Sequence, residues 1–182
     1  MSAYVALLRA VNVGGRNAIA MRDLRRMLEQ AGLEEARTLL QSGNVVFRAT
    51  RATPAKLESL LETQTEKRLG VRTNYVVRSA AEWDAIVAGN PYAREAQDDP
   101  GRLVVYALKR PPATRAADAL HEAIAGPEYF ALADRHAYIV YPEGQGRSKL
   151  TAAVIDRALG VRGTARNWNT VLKLQAMVQA AA

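Results

Sequence analysis

Cysteine is absent from this chain of 182 residues, and histidine occurs only at His121 and His136. Those absences exclude a disulfide framework, a thiol nucleophile, a thiolate metal site and a histidine-rich one. Long apolar runs are missing too. The longest, Tyr4 to Leu8 and Leu103 to Leu108, fall far short of a membrane span, so no membrane partner is expected. The amino terminus lacks a basic region followed by an apolar one and a small-residue cleavage site, which predicts an unexported, cytoplasmic protein. No G-x-S-x-G, G-x-G-x-x-G or G-x-x-x-x-G-K-[ST] occurs, so no cofactor is expected from motif. The predicted strands offer only Tyr4, Phe47 and Tyr75 in the first half and no K/R-G-F/Y-G/A-F run. That argues against sequence-specific RNA reading on a sheet face.

What is present is ordinary globular composition, 49% hydrophobic and 24% charged, which excludes wholesale disorder. The net charge is +7, and a basic protein is drawn to phosphates, acidic ligands or anionic surfaces; nonspecific nucleic-acid association follows from the charge alone. The excess is spread evenly, +4 over residues 1–91 and +3 over 92–182, with 20 arginines against 5 lysines. Such a pattern fits compositional bias as well as it fits a partner.

Element signals recur in one order. An apolar run at Tyr4–Arg9 reads as a buried strand, and Val11–Ala20, with Gly14-Gly15 and two asparagines, reads as a loop. Met21, Leu24, Met27 and Leu28 then repeat at helical spacing, with Gly32 past the end. Strands are expected at 37–41 and 44–48 around a two-residue Ser42-Gly43 turn. Thr53-Pro54 opens a second helix, Gly70 closes it, and 73–78 is a fourth strand. The order βαββαβ is that of the ferredoxin-like fold. Ser79 and Glu82 form a capping box for the next helix.

Residues 91–101 read as a linker between a half spanning 1–90 and one spanning 102–182. The second half repeats the pattern: a strand at 103–108, a helix led by Pro111-Pro112, strands at 129–133 and 137–141, a helix at 149–159 and a last helix from about Asn167. It is expected as βαββα, its final strand shortened or replaced. The fold class is α+β, two βαββα-type halves, the first ferredoxin-like, packed as one unit.

Three stretches, YVALLRAVNVGGRNAIAMRDLR, LLQSGNVVF and GRSKLTAAVIDRALGVRGTARNWNTVLKL, resemble the bacterial family catalogued as domain of unknown function 1697. The resemblance implies an α+β fold with a ferredoxin-like half and implies no activity. Ala10 stands here where many members of that family carry glycine.

Candidate ligand residues fall in three places. The run Gly144-Gln145-Gly146-Arg147-Ser148-Lys149 lies between a strand and a helix, the arrangement that cradles phosphate. Arg147 and Lys149 sit where the helix dipole favours acidic residues, a conflict that an anionic ligand resolves. The bland alternative is a glycine turn with Ser148 as helix cap. Arg166 and Asn167 flank the start of the last helix, where a guanidinium fork suits phosphate or carboxylate; capping plus a surface ion pair is the alternative. The ten-residue loop with Arg9, Asn12, Gly14, Gly15 and Asn17 is long for its position, and long loops on rigid scaffolds often carry function; asparagines bonding their own backbone are the alternative. These sets are expected to converge into a basic polar cleft for a phosphate-bearing or other anionic small molecule. An enzyme acting on a phosphorylated or carboxylated substrate, with Lys149 stabilising charge and a carboxylate or Tyr141 handling protons, is the second reading. A protein-interaction module is the third. Trp168 is expected in the core.

Overall fold

The computed structural model describes residues 1–182, which divide into two compact units, Met1–Ala85 with Lys173–Ala182, and Ile86–Leu172. The first holds β1 (Ser2–Leu8), α1 (Met21–Gln30), β2 (Glu34–Leu39), β3 (Asn44–Ala49), α2 (Pro54–Leu69) and β4 (Tyr75–Ser79). Its antiparallel sheet runs in the order β2-β3-β1-β4, the ferredoxin-like arrangement. α3 (Ala80–Ala88) follows β4 directly, and α4 (Ala93–Asp98) comes next. The stretch expected as a linker, 91–101, therefore carries a short helix.

The second unit repeats the architecture with β5 (Leu103–Leu108), α5 (Ala116–Ala123), β6 (Tyr129–Leu132), β7 (His136–Val140), α6 (Ala152–Leu159) and β8 (Gly163–Asn167), in the order β6-β7-β5-β8. α7 (Trp168–Ala180) closes the chain. The expectation that the second half's last strand is shortened or replaced is thus corrected: β8 is complete and pairs with β5 from Val104 to Leu108. It escapes a hydrophobicity reading because Gly163, Thr164 and Arg166 occupy its buried positions.

The units match at the level of register. Arg78 of β4 lies opposite Val5, and Arg166 of β8 opposite Val105. Both arginines are buried, and each guanidinium donates to the carbonyl of its preceding residue, Val77 or Ala165. The next residue then caps the following helix. Ser79 does so through the expected capping box with Glu82, and Asn167 Oδ1 accepts from Thr170 N at 3.0 Å.

Each unit has its own core. In the first, Tyr4, Ala6, Leu8, Val45, Phe47, Tyr75 and Val77 meet Leu24, Met27, Leu28, Leu57 and Leu61 from the helices. In the second, Val104, Tyr106, Leu108, Ala137 and Ile139 meet Leu120, Ile155 and Leu159. Two carboxylates one turn apart on α2 finish the β4 edge: Glu58 accepts from Val77 N at 2.9 Å and Glu62 from Tyr75 N at 3.0 Å. Asp156 of α6 does the same for Gly163 N at β8. Edge-strand donors that would otherwise template another strand are thereby occupied. No helix is long and apolar enough to cross a membrane.

Candidate functional site

The amino-terminal loop is built by its asparagines. Asn12 Nδ2 donates to Ile19 O at 2.9 Å and to Gln41 O at 2.7 Å, and its Oδ1 accepts from Ile19 N at 2.8 Å. Asn17 Nδ2 reaches Ala10 O at 3.3 Å. Between them Val13 and Arg16 bridge across Gly14 and Gly15, both at positive φ, as a primed hairpin turn demands. Asn12 and Asn17 therefore spend their side chains on the backbone of the loop and of the adjacent β2–β3 turn, while Gly14, Gly15 and Arg16 stand exposed at its tip. Arg9 lies at its base, with its backbone N–H bonded to Asn74 O. The neighbouring β2–β3 turn takes four residues, Leu40–Gly43, rather than the expected two, with positive φ at Leu40 and Gly43. Gly43 is required there: a Cβ would lie 2.7 Å from Leu8 Cβ and from Val11 Cγ2.

In the second unit the residues after β7 differ from the sequence expectation in one respect. α6 does not begin at Lys149; it begins at Ala152, capped by Thr151. Gln145–Arg147 form one turn of 3-10 helix, and Ser148 and Lys149 precede the cap. Ser148 is pulled away from the capping role because its Oγ donates to Glu128 and accepts from Leu150 N at 2.9 Å. The dipole argument for an anion at Ser148 and Lys149 therefore does not carry over to this geometry.

What the loop does form is a cavity of about 170 Å³. Gly126, Pro127 and Glu128 line one side, with Glu143, Gly144, Arg147, Ser148 and Lys149 on the other. Two cations and two carboxylates share it, so its character is mixed rather than basic. Tyr141, the candidate proton carrier of the enzyme reading, is not among the residues that line it. Its hydroxyl is buried, donates to Leu150 O at 3.1 Å, and is pushed upward in pKa first by burial and then by Glu128.

Arg166 stands just before Asn167, the cap of α7, as expected, but it belongs to a strand and not to an open helix end. It lies within β8, 8% exposed, with its guanidinium on Thr164 Oγ1 at 2.9 Å and Ala165 O at 2.7 Å. Burial pulls its pKa down to about 10, which leaves it charged at neutral pH. Neither Arg166 nor Asn167 lines the 126–149 cavity. Trp168 is buried, as expected for a core residue.

Two further cavities were not legible in the sequence. One of about 360 Å³ is lined by Arg94, Arg102, Glu95, Asp98, Asp99 and Tyr129, among others. Its charges are largely spent internally, through Arg94–Asp98, Arg102–Asp99 and a Tyr129 hydroxyl bonded to Glu95 at 2.7 Å. That bond raises the Tyr129 pKa to about 12 and lowers that of Glu95. The other, about 600 Å³, lies in the first unit where α2 and α3 start, with Arg51 and Lys56 beside Thr53, Ser79 and Glu82. Its one missed signal is Lys56 in a first helical turn that holds no acidic residue.

Fold and cavities together define an α+β protein of two ferredoxin-like units, each of which bears a polar cavity. The chain belongs to the family described as "Protein of unknown function (DUF1697)", whose model matches residues 1–138. That match ends before the 143–149 loop. The architecture is similar to a solved structure of a conserved bacterial protein from Streptococcus pneumoniae, at a TM-score of 0.76 and 22% identity, covering 97% of this chain and 98% of that one. A likeness at that identity speaks for the fold alone. No curated protein matches the chain closely enough to lend it a function.

Proposed function

We propose that this protein binds a small molecule bearing a phosphate or carboxylate, and that the 126–149 cavity is its seat. The observation that carries this reading is a coincidence of independent signals. The glycine-rich basic run Gly144 to Lys149 folds around a cavity of ligand-fragment size. Arg147 and Lys149 would take the anionic group. Glu128 and Glu143 add a requirement absent from a purely basic cleft: the ligand also presents a donor, a hydroxyl or ammonium. A phosphorylated or carboxylated amine or polyol fits that pattern.

Turnover is less well supported than binding. The Ser148–Glu128 pair has the geometry of an activated hydroxyl, yet the same oxygen also holds Leu150 N. A serine fixed by two partners is a loop clamp first. A second seat is favoured by one observation, the cavity of about 600 Å³ with Arg51 and Lys56 at the start of α2.

A thermal-shift panel of inorganic phosphate, sugar phosphates, nucleotides and phosphorylated amino acids tests both. A ligand at about 100 times its Kd adds about 2.7 kcal/mol, an upward shift of about 5–10 °C for a chain of this size. The expected result is one such shift, lost in Arg147→Ala/Lys149→Ala and kept in Arg51→Ala/Lys56→Ala. The reverse pattern moves the seat to the first unit. A flat panel counts against both.

A further inference from the structure

The edges of the two sheets are not finished alike. On β4 the N–H groups of Tyr75, Val77 and Ser79 are taken by Glu62, Glu58 and Glu82, and the Val77 carbonyl takes the Arg78 guanidinium. β8 is closed in the same way, with Asp156 on Gly163 N and Arg166 on Ala165 O. β2 is broken by an irregularity between Glu34 and Arg37, and it exposes Glu34, Glu35 and Arg37. Bulges and charges of that kind keep other strands away. β6 has none of these devices. Its residues, Tyr129, Phe130, Ala131 and Leu132, include no charge and no proline, and none is fully buried. Ala133 N donates to His136 O on β7. Bonded pairs alternate along an antiparallel ladder, so Ala131 and Tyr129 also bond toward β7, while Phe130 and Leu132 aim their N–H and C=O groups outward. No other group of the chain meets them.

We infer that β6 takes an extended segment of a partner protein as an added strand of the second sheet, and that this segment carries a lysine or arginine. The outward N–H and C=O groups of Phe130 and Leu132 supply the main-chain bonds of such an addition. The cavity of about 360 Å³ beside Tyr129 supplies a place for one side chain. Tyr129, Val140 and Pro142 give it an apolar lining, and three carboxylates, Glu95, Asp98 and Asp99, stand in it against two guanidiniums. A long aliphatic stem ending in a cation matches that composition. Asp134, exposed in the turn after β6 and bonded to nothing in the chain, repeats the preference at the other end of the strand. A second copy of this chain fits less well. The antiparallel register that uses Phe130 and Leu132 of both copies centres on Ala131. It sets Glu128 of each copy opposite Asp134 of the other, and like charges so placed are destabilising. The inference does not depend on the 126–149 cavity being occupied.

The test selects from a phage-displayed library of random nonamers on the full chain and measures the consensus peptide by fluorescence anisotropy. The expected consensus alternates β-branched or aromatic residues with others and carries lysine or arginine. In the free protein the amides of Phe130 and Leu132 should exchange with solvent faster than those of Ala131 and Ala133, and saturating peptide should slow them. Methylating the peptide's amide nitrogens one at a time should weaken binding about tenfold at alternate positions and little between them. Leu132→Pro removes an outward donor and no ladder bond, and should also cost about tenfold at an unchanged melting temperature. The methylated peptides keep the test decisive if that variant does not fold. Asp98→Asn/Asp99→Asn should weaken binding about tenfold at low salt and shift the selected consensus away from lysine and arginine. Losses on methylation without alternation would overturn the inference, as would a library that yields no binder or only acidic sequences. A dimer in sedimentation velocity that Leu132→Pro returns to monomer would overturn it in favour of a second copy.

Discussion

Ala10 adopts φ of 51°, a left-handed conformation that costs a residue with a Cβ about 1–2 kcal/mol. Glycine at this position would shed that strain while adding some unfolded-state entropy. Ala10→Gly is therefore expected to stabilise the protein by about 0.5–1 kcal/mol, read as a rise in the urea midpoint at constant slope. Gly163 is the opposite case. A Cβ there would lie 2.5 Å from Tyr106 Cε1 and 2.6 Å from Ala107 O, and the backbone atom cannot swing aside. Gly163→Ala should cost about 1–3 kcal/mol, most of it seen as faster unfolding if β8 docks late. An unchanged midpoint in either variant would contradict these readings. Neither effect is written in composition; both depend on where the backbone runs.

Among the elements, those with an apolar period or a strong cap were legible. β5 falls on its expected residues, α2 starts at Thr53-Pro54 and stops at a left-handed Gly70, and α3 has its capping box. β8 was not legible, because a strand whose buried positions hold glycine, threonine and arginine has no hydrophobic alternation to detect. α4 was hidden by Asp98-Asp99-Pro100-Gly101, which reads as turn chemistry and in fact ends a six-residue helix. The candidate site was half legible. Arg147, Ser148 and Lys149 do line one cavity, but Glu128, which shares it, lies 20 residues upstream in an unremarkable Gly-Pro-Glu. The edge guards were invisible for a similar reason, since Glu58 and Glu62 look like any solvent-facing pair. Glu58→Ala should leave Val77 N–H without its acceptor and cost about 1–3 kcal/mol, whereas Glu58→Gln keeps an acceptor and should cost less. Hydrogen exchange at Tyr75 and Val77 would resolve the two, and equal protection in all three proteins would contradict the edge-guard role.

For the whole molecule, tyrosine sets the alkaline limit. Burial pushes the hydroxyls of Tyr75 and Tyr141 upward and that of Tyr138 to about 12. Tyr75 is held by Thr65 at 2.7 Å and Tyr138 by Ile86 O at 2.7 Å. Above the ordinary tyrosine pKa of about 10, the unfolded chain releases protons that the folded one retains. Stability therefore falls as pH rises from about 10 toward the folded values. Arg166 acts with the opposite sign, because its folded pKa is depressed, but it is one group against three. Denaturant midpoints should be flat from pH 7 to about 9 and drop beyond about 10, with buried tyrosines ionising at 295 nm only as the chain unfolds. Ionisation of all seven tyrosines in the folded protein near pH 10 would contradict this account.

Counting charge along the chain averages over the fold and made a purely basic cleft the natural expectation for a ligand site, where the folded chain instead sets Arg147 and Lys149 against Glu128 and Glu143. The central claim is that this mixed-charge cavity holds a small anionic ligand, and backbone amide shifts in a ¹⁵N-labelled sample report on it directly. Titration with the compound that gives the largest thermal shift should move the amides of Gly126, Glu128, Gly144, Arg147, Ser148 and Lys149 first and saturably. Saturable shifts confined to Arg51, Ala52, Thr53 and Lys56, with the 126–149 amides unmoved, would contradict it.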